Sequence, residues 1–130
     1  MITIKPIQNL QEWEDFLGKR DDANFLQSWY WGEFHRRLGK TIFYSGFYDG
    51  KELIGVMLSI IESAKRGKYL TVPGGPIIDW KNKFLVTAAF SEMKKIAAEN
   101  NCVFVRIRPQ LIENDFSKDI FQQQGTRSAP

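Results

Sequence analysis

A chain of 130 residues holds one ordinary domain and is too short for two. Apolar residues make up 43% of it and aromatic ones 14%, enough for a single bulky core. A net charge of +3 is a mild bias toward anionic partners, well short of a nucleic-acid arm or a polybasic membrane tail.

The opening residues, Met1-Ile2-Thr3-Ile4-Lys5, lack the charged stretch and apolar block of a signal peptide. Ile2, Ile4 and Ile7 predict a short strand. Asn9 then reads as a helix N-cap with Glu12 as its capping-box partner, and Leu10, Trp13, Phe16 and Leu17 fall on one helical face. Gly18 and the polar run to Asn24 end that helix. A second helix is predicted from near Ser28 to Gly39, with Trp31, Phe34 and Leu38 inward and Glu33, His35, Arg36 and Arg37 on the other face.

A strand over 41–48 follows, and Asp49-Gly50 predicts a hairpin, since both residues tolerate positive φ. The return strand runs from Glu52 to about Ser63. Its apolar core, Leu53 to Leu58, marks a central strand, and the longest apolar stretch, Leu53 to Ile61, is about half of the ~20 residues that span a bilayer. Lys65-Arg66-Gly67-Lys68 makes a basic turn into a strand over 69–72. Pro73-Gly74-Gly75-Pro76 is a tight loop. Residues 84–100 carry the longest helical pattern, with Leu85, Ala88, Ala89, Met93 and Ile96 inward.

A strand over 103–108 comes next, with Val103, Val105 and Ile107 on one face and Phe104, Arg106 and Arg108 on the other. Cys102, the lone cysteine, reads as a buried structural thiol, which fits a reducing compartment. Asp115 caps a last helix over 115–124 and Gly125 closes it. The order β-α-α-β-β-β-α-β-α predicts one soluble, cytoplasmic α/β (α+β) domain over residues 1–130. A helix closed by glycine normally feeds a further element, so the chain reads as one lobe of a larger enzyme.

One cysteine and one histidine do not make a zinc site, so no metal is expected. Gly74-Gly75 is not followed by Lys-Ser or Lys-Thr, so it is not a phosphate loop of the Walker type. His35, the only imidazole, reads as a solvated histidine ahead of a general base. Two features stand out. The run Phe25 to Phe34 packs large aromatics before His35-Arg36-Arg37; it is either an amphipathic helix with a solvated basic side or an anion site of the kind arginine serves well. Arg106 and Arg108 share one face of a strand, which fits either an exposed sheet edge or an electropositive cleft.

The ordered set of landmarks resembles the Fem-type aminoacyltransferases, the FemABX family. Leu26-Gln27-Ser28 leads through Trp31-Gly32 into a short helix. Gly46, Asp49-Gly50 and Gly55 punctuate a hairpin. Tyr69 precedes Gly74-Gly75-Pro76-Ile77-Ile78-Asp79, Val105-Arg106-Ile107-Arg108-Pro109 follows a long helix, and Phe121 to Gly125 leads into Arg127-Ser128-Ala129-Pro130. Each motif is short; the order of all of them carries the likeness.

The resemblance implies a GNAT-like lobe, a mixed central sheet flanked by helices, and the first lobe of a two-lobed protein. It implies transfer of an amino acid from aminoacyl-tRNA to the stem peptide of a peptidoglycan precursor, either lipid II or its UDP-linked form. No cofactor is implied, the partners are a second lobe or an oligomer partner, and the membrane is met only peripherally through the lipid-linked substrate. The basic cluster after Trp31 matches the region that meets precursor phosphates in the family, where some members carry a lysine; His35, Arg36 and Arg37 are the nearest residues here. Trp31, His35, Arg36, Arg37, Arg106 and Arg108 are therefore the candidate substrate-binding residues. The chain stops where the second lobe begins, and no catalytic residue carries over. Two alternatives stand beside this reading: a free-standing GNAT-like N-acyltransferase using acyl-CoA, for which the Gln/Arg-x-x-Gly-x-Gly/Ala loop is missing, and a non-catalytic binding lobe.

Overall fold

Hairpin turns lay down the middle of the molecule. In the computed structural model, which describes residues 1–109, strand β2 (Ile42–Asp49) turns back into β3 (Glu52–Ala64). Asp49 pairs with Glu52, so the turn residues are Gly50 and Lys51, one place later than expected. Of the two only Gly50 takes a positive φ, 62°, as a two-residue hairpin with glycine at its first central position requires. A second turn at Lys65-Arg66 leads into β4 (Gly67–Pro73), and β1 (Ile2–Pro6) runs antiparallel along β2. Helix α3 (Lys83–Glu99) then crosses over the sheet and delivers β5 (Cys102–Arg108) parallel to β4. The result is the expected mixed sheet, in the order β1-β2-β3-β4-β5. The helix expected over 115–124 and the tail after Gly125 lie outside the described residues.

Strand alternation sorts the side chains into two layers. On one face Met57, Leu70 and Val72 pack against Leu85, Val86, Ala89, Phe90, Met93 and Ile96 of α3. On the other, Val56, Leu58, Ile60 and Tyr44 pack against Trp13 and Leu17 of α1 (Leu10–Leu17) and the tryptophans of α2 (Trp29–Arg37). Cys102 is half-buried beside the α3 layer, less enclosed than expected.

The caps bear out the sequence reading in part. Asn9 accepts from the backbone N–H of Gln11 and Glu12 at 2.8 and 3.2 Å, and Ser28 caps α2 through the N–H of Trp31 at 3.0 Å. Glu12 does not close a capping box. Its carboxylate accepts from the Tyr48 hydroxyl at 3.0 Å, and burial together with that carboxylate pushes the Tyr48 pKa up to about 12. Leu10 lies at the surface rather than in the core.

The inward face of α2 differs from the expectation. Ser28, Gly32 and His35 are buried, whereas Phe34 and Leu38 are exposed. Gly32 is the cause. The Tyr44 ring and hydroxyl occupy the space a Cβ at position 32 would need, so the helix seats on its glycine and turns its bulkier side chains outward.

Candidate anion-binding face

Leu26-Gln27-Ser28 is a short 3-10 turn, Phe25–Gln27, followed by the cap of α2. Gln27 is fully buried and works as a peg. The β3–β4 ladder runs only from Ile60↔Thr71 to Ala64↔Gly67, so Leu58 and Pro73 have separated from one another. Gln27 fills that gap: its Nε2 donates to the carbonyls of Pro73 at 2.7 Å and Leu58 at 3.2 Å, and its Oε1 accepts from Leu58 N–H at 2.8 Å. Its own carbonyl accepts from Trp13 Nε1 at 2.8 Å. Asn24 donates to Gly74 O at 2.8 Å. Any Cβ at Gly74 would strike Asn24, and any Cβ at Gly75 would strike Gln27. Two landmarks some fifty residues apart in the sequence are thus one packed cluster.

That cluster fixes where α2 sits. Trp31 meets His35 edge-on at 4.7 Å between ring centroids, and Phe25 and Phe34 pack on Trp31 at 5.2 and 5.3 Å. His35 is buried, not solvated as expected from the helix pattern. Helix α2 ends in a Schellman turn: Gly39 N–H reaches Arg36 O at 2.9 Å and Lys40 N–H reaches His35 O at 3.2 Å, with Gly39 at φ 86°. The reversal brings Lys40 back onto His35. Its ammonium lies 3.2 Å from His35 Nδ1 and 2.8 Å from Glu62 Oε1 of β3. An ammonium has no lone pair, so Nδ1 must be the bare nitrogen and Nε2 carries the proton. Burial, and then the Lys40 charge, hold the His35 pKa below its ordinary value, with Glu62 opposing.

Glu62 is paired across the ladder with Tyr69, and Tyr69 with Phe104 of β5. Directly paired residues share a face, so Tyr69, Phe104 and Arg106 lie on the α2 side of the sheet, beyond the helix. Tyr69 and Phe104 stack at 4.8 Å with 6° between planes, and the Arg106 guanidinium lies 5.3 Å from the Tyr69 ring and 5.9 Å from the Phe104 ring. A guanidinium beside aromatic rings can still present its N–H fork to an oxyanion.

The six candidate residues are therefore placed unequally. Trp31 and His35 are in contact, and Arg106 shares their face of the sheet. Arg36 pairs with Glu33 at 3.3 Å, toward Tyr44, whose hydroxyl lies 2.8 Å from both Glu33 Oε2 and Trp29 O, with one proton between the two acceptors. Burial and the Glu33 carboxylate raise the Tyr44 pKa. Arg37 and Arg108 are exposed, and no hydrogen bond, ion pair or ring contact joins the α2 arginines to those of β5 among the described residues. Lys40 and Glu62 were missed by the sequence reading. The signal was present in Leu38-Gly39-Lys40, because a glycine just past a helix end folds the next residue back over the last turn.

A cleft of about 780 Å³ lies at the opposite end of the sheet, by the β2–β3 turn. Glu12, Asp15, Asp49, Glu52 and Asp79 line it against Lys19 and Arg20, and Arg20 is held by Asp22 at 3.0 Å. Its excess of carboxylates is the wrong sign for a phosphate. No group of acidic, histidine or cysteine side chains suited to a metal occurs among the described residues.

The five-stranded sheet with two helices on one face and a crossover helix on the other is a GNAT-like fold. The crystal structure of FemX superimposes on 95% of the chain with a TM-score of 0.84 and 18% identity. An aminoglycoside 6'-N-acetyltransferase of Acinetobacter haemolyticus covers 98% of it, with a TM-score of 0.68 and 14% identity. The sequence pattern of the FemAB family matches residues 9–129, and the chain belongs to that family. The aminoacyltransferase FemA of Staphylococcus epidermidis is 33% identical over 63 residues, 48% of this chain. The match spans 15% of FemA and 31% of the FemX chain, against 92% of the acetyltransferase.

Proposed function

We propose that the chain is the first GNAT-like lobe of a two-lobed cytoplasmic aminoacyltransferase that builds peptidoglycan cross-bridges. In this reading an aminoacyl-tRNA is the donor and a muropeptide precursor, UDP-linked or lipid-linked, is the acceptor. The reaction joins the acceptor amine to the ester carbonyl and releases the tRNA hydroxyl. The ester is already activated, so positioning supplies much of the rate. The amine titrates near 10.4 when free and must shed a proton, and no acceptor for it is assigned among the described residues. Its part is to hold the precursor's phosphates.

The observation that carries this is the family match over residues 9–129. Two cationic positions on the α2 side of the sheet support it: Lys40 on His35 beside Trp31, held by Glu62, and Arg106 beside Tyr69 and Phe104. Arg108, on β5 with Arg106, is a secondary contact in this reading, and Arg36 and Arg37 are further cations of α2. Titrating the chain with a UDP-linked muropeptide tests the reading. Lys40→Met and Arg106→Met are each expected to weaken binding about tenfold or more, as losing a partly buried charge contact does. Unchanged affinity in both, or in a variant with Arg36 and Arg37 both reversed to Glu, would sink it.

The near-complete overlap with acetyltransferases favours a second reading, an acyl-CoA-dependent N-acyltransferase. Against it, the loop entering α3 is spent on packing: Asn24 and Gln27 hold Gly74 O and Pro73 O, and Asn82 caps the helix by accepting from Leu85 N–H at 3.1 Å. Saturable binding of acetyl-CoA would support this alternative.

A further inference from the structure

The outer side of α2 carries an apolar surface that the fold leaves open. Phe25 is 62% exposed, Tyr30 58%, Phe34 49% and Leu38 58%. They are one patch, not scattered residues: Phe25 packs on Trp31 and Trp31 on Phe34, while Tyr30, Phe34 and Leu38 follow at the i, i+4 spacing that puts side chains in one row. A row of this kind is larger than the single exposed side chains a monomer tolerates.

Its charge is one-sided. Arg37 lies on the same outward side of the helix and has no ion pair among the described residues. The one carboxylate of α2, Glu33, is turned away toward Tyr44 and Arg36. Helix α2 hands over to β2 beside the Ile60–Ala64 end of β3, where Ile61 N–H bonds Thr41 O at 2.9 Å. The basic β3–β4 turn is at that same end, and its Lys65 and Arg66 are exposed without an ion pair among the described residues. Three unpaired cations, Arg37, Lys65 and Arg66, therefore lie toward the C-terminal end of the aromatic row.

We propose that this surface seats the protein directly on an anionic lipid bilayer, with the α2 row entering the headgroup boundary and the β3–β4 turn meeting the lipid charge. Rings and aliphatic side chains on the outer face of a helix, flanked by arginine and lysine, are the composition of an interfacial helix. The cations supply the complementary charge to an anionic leaflet. No helix of the described residues is long and apolar enough to cross a membrane, and the proposed contact lies in the plane of the interface. This goes beyond the enzymatic reading and stands without it, because the lipid contact needs neither the donor nor the precursor.

Co-sedimentation of the chain with vesicles tests it. Vesicles of phosphatidylcholine mixed with phosphatidylglycerol are expected to bind the chain, and phosphatidylcholine alone to bind it at least tenfold more weakly. The pair Tyr30→Ser and Leu38→Ser, kept away from Trp31 and His35, should lower anionic-vesicle binding by about tenfold or more. Arg37→Glu should lower it by a similar factor and flatten its salt dependence. Phe84→Ser, an exposed ring on α3, is the control and should change nothing. Circular dichroism establishes that each variant is folded. Absence of vesicle binding, or equal binding by the Tyr30/Leu38 variant, overturns the proposal. So does self-association in solution that the same variant abolishes, because the row would then be an interface between copies of the chain.

Discussion

His35 is enclosed with an ammonium at one ring nitrogen, and this makes its protonation costly. In the unfolded chain the imidazole titrates near 6.5, and in the fold it titrates lower. Between those values the unfolded state binds more protons, so stability rises with pH through that window and is lost as pH falls from about 6.5 toward the folded value. Wild type should therefore lose more thermal stability than His35→Gln between pH 7.5 and pH 5, as read by the difference in melting temperature at each pH. Equal losses would mean the ring titrates freely. At Gly32 the limit is steric. Gly32→Ala should destabilise the fold by about 2 kcal/mol in urea denaturation, since the Tyr44 hydroxyl already fills the site. Both residues were visible in the sequence, but not their environments. Periodicity ranks side chains by hydrophobicity, and it could not register that a glycine makes the closest approach or that a histidine follows it inward.

Among the elements, the 3-10 turn before α2 has the largest leverage for its size. Gln27→Ala would leave Leu58 N–H, Leu58 O and Pro73 O without the partner they share, Leu58 being fully buried. The expected cost is about 3 kcal/mol, measured by the urea midpoint. Gln27→Glu should cost at least as much, because a carboxylate oxygen would face two carbonyl oxygens. The strands, the crossover helix and the hairpins were legible because glycine, proline and alternation mark them locally. The order of the family landmarks was legible too. What joins them was not, because an amide bridging backbone groups across 31 and 46 residues leaves no periodic trace. The same holds for Lys40 and Glu62, whose pairing depends on a helix end meeting a strand 22 residues on.

For the molecule as a whole, the sheet has one face closed by α3 and one only partly covered by α1 and α2. The candidate residues that the structure brings closest to one another lie on the second face. An acyl-CoA enzyme of this fold would use the loop entering α3, which here is filled from the α1–α2 side. Acetyl-CoA is accordingly expected to show no saturable binding by calorimetry, and binding with a defined stoichiometry would reverse that assignment.

Strand β5 has a consequence for the order of assembly. The first four strands are neighbours in sequence and close through short turns, whereas β5 reaches β4 only after α3 has crossed the sheet. Contacts of long sequence separation form late, since the chain between them must be closed first. Until then β4 is an open edge, with unpaired N–H and C=O groups along residues 68–73. A chain cut after Asn101 should retain the hairpins but aggregate through that edge. Light scattering during refolding would reveal it, and a soluble monomer of that length would show that β4 needs no fifth strand to protect it.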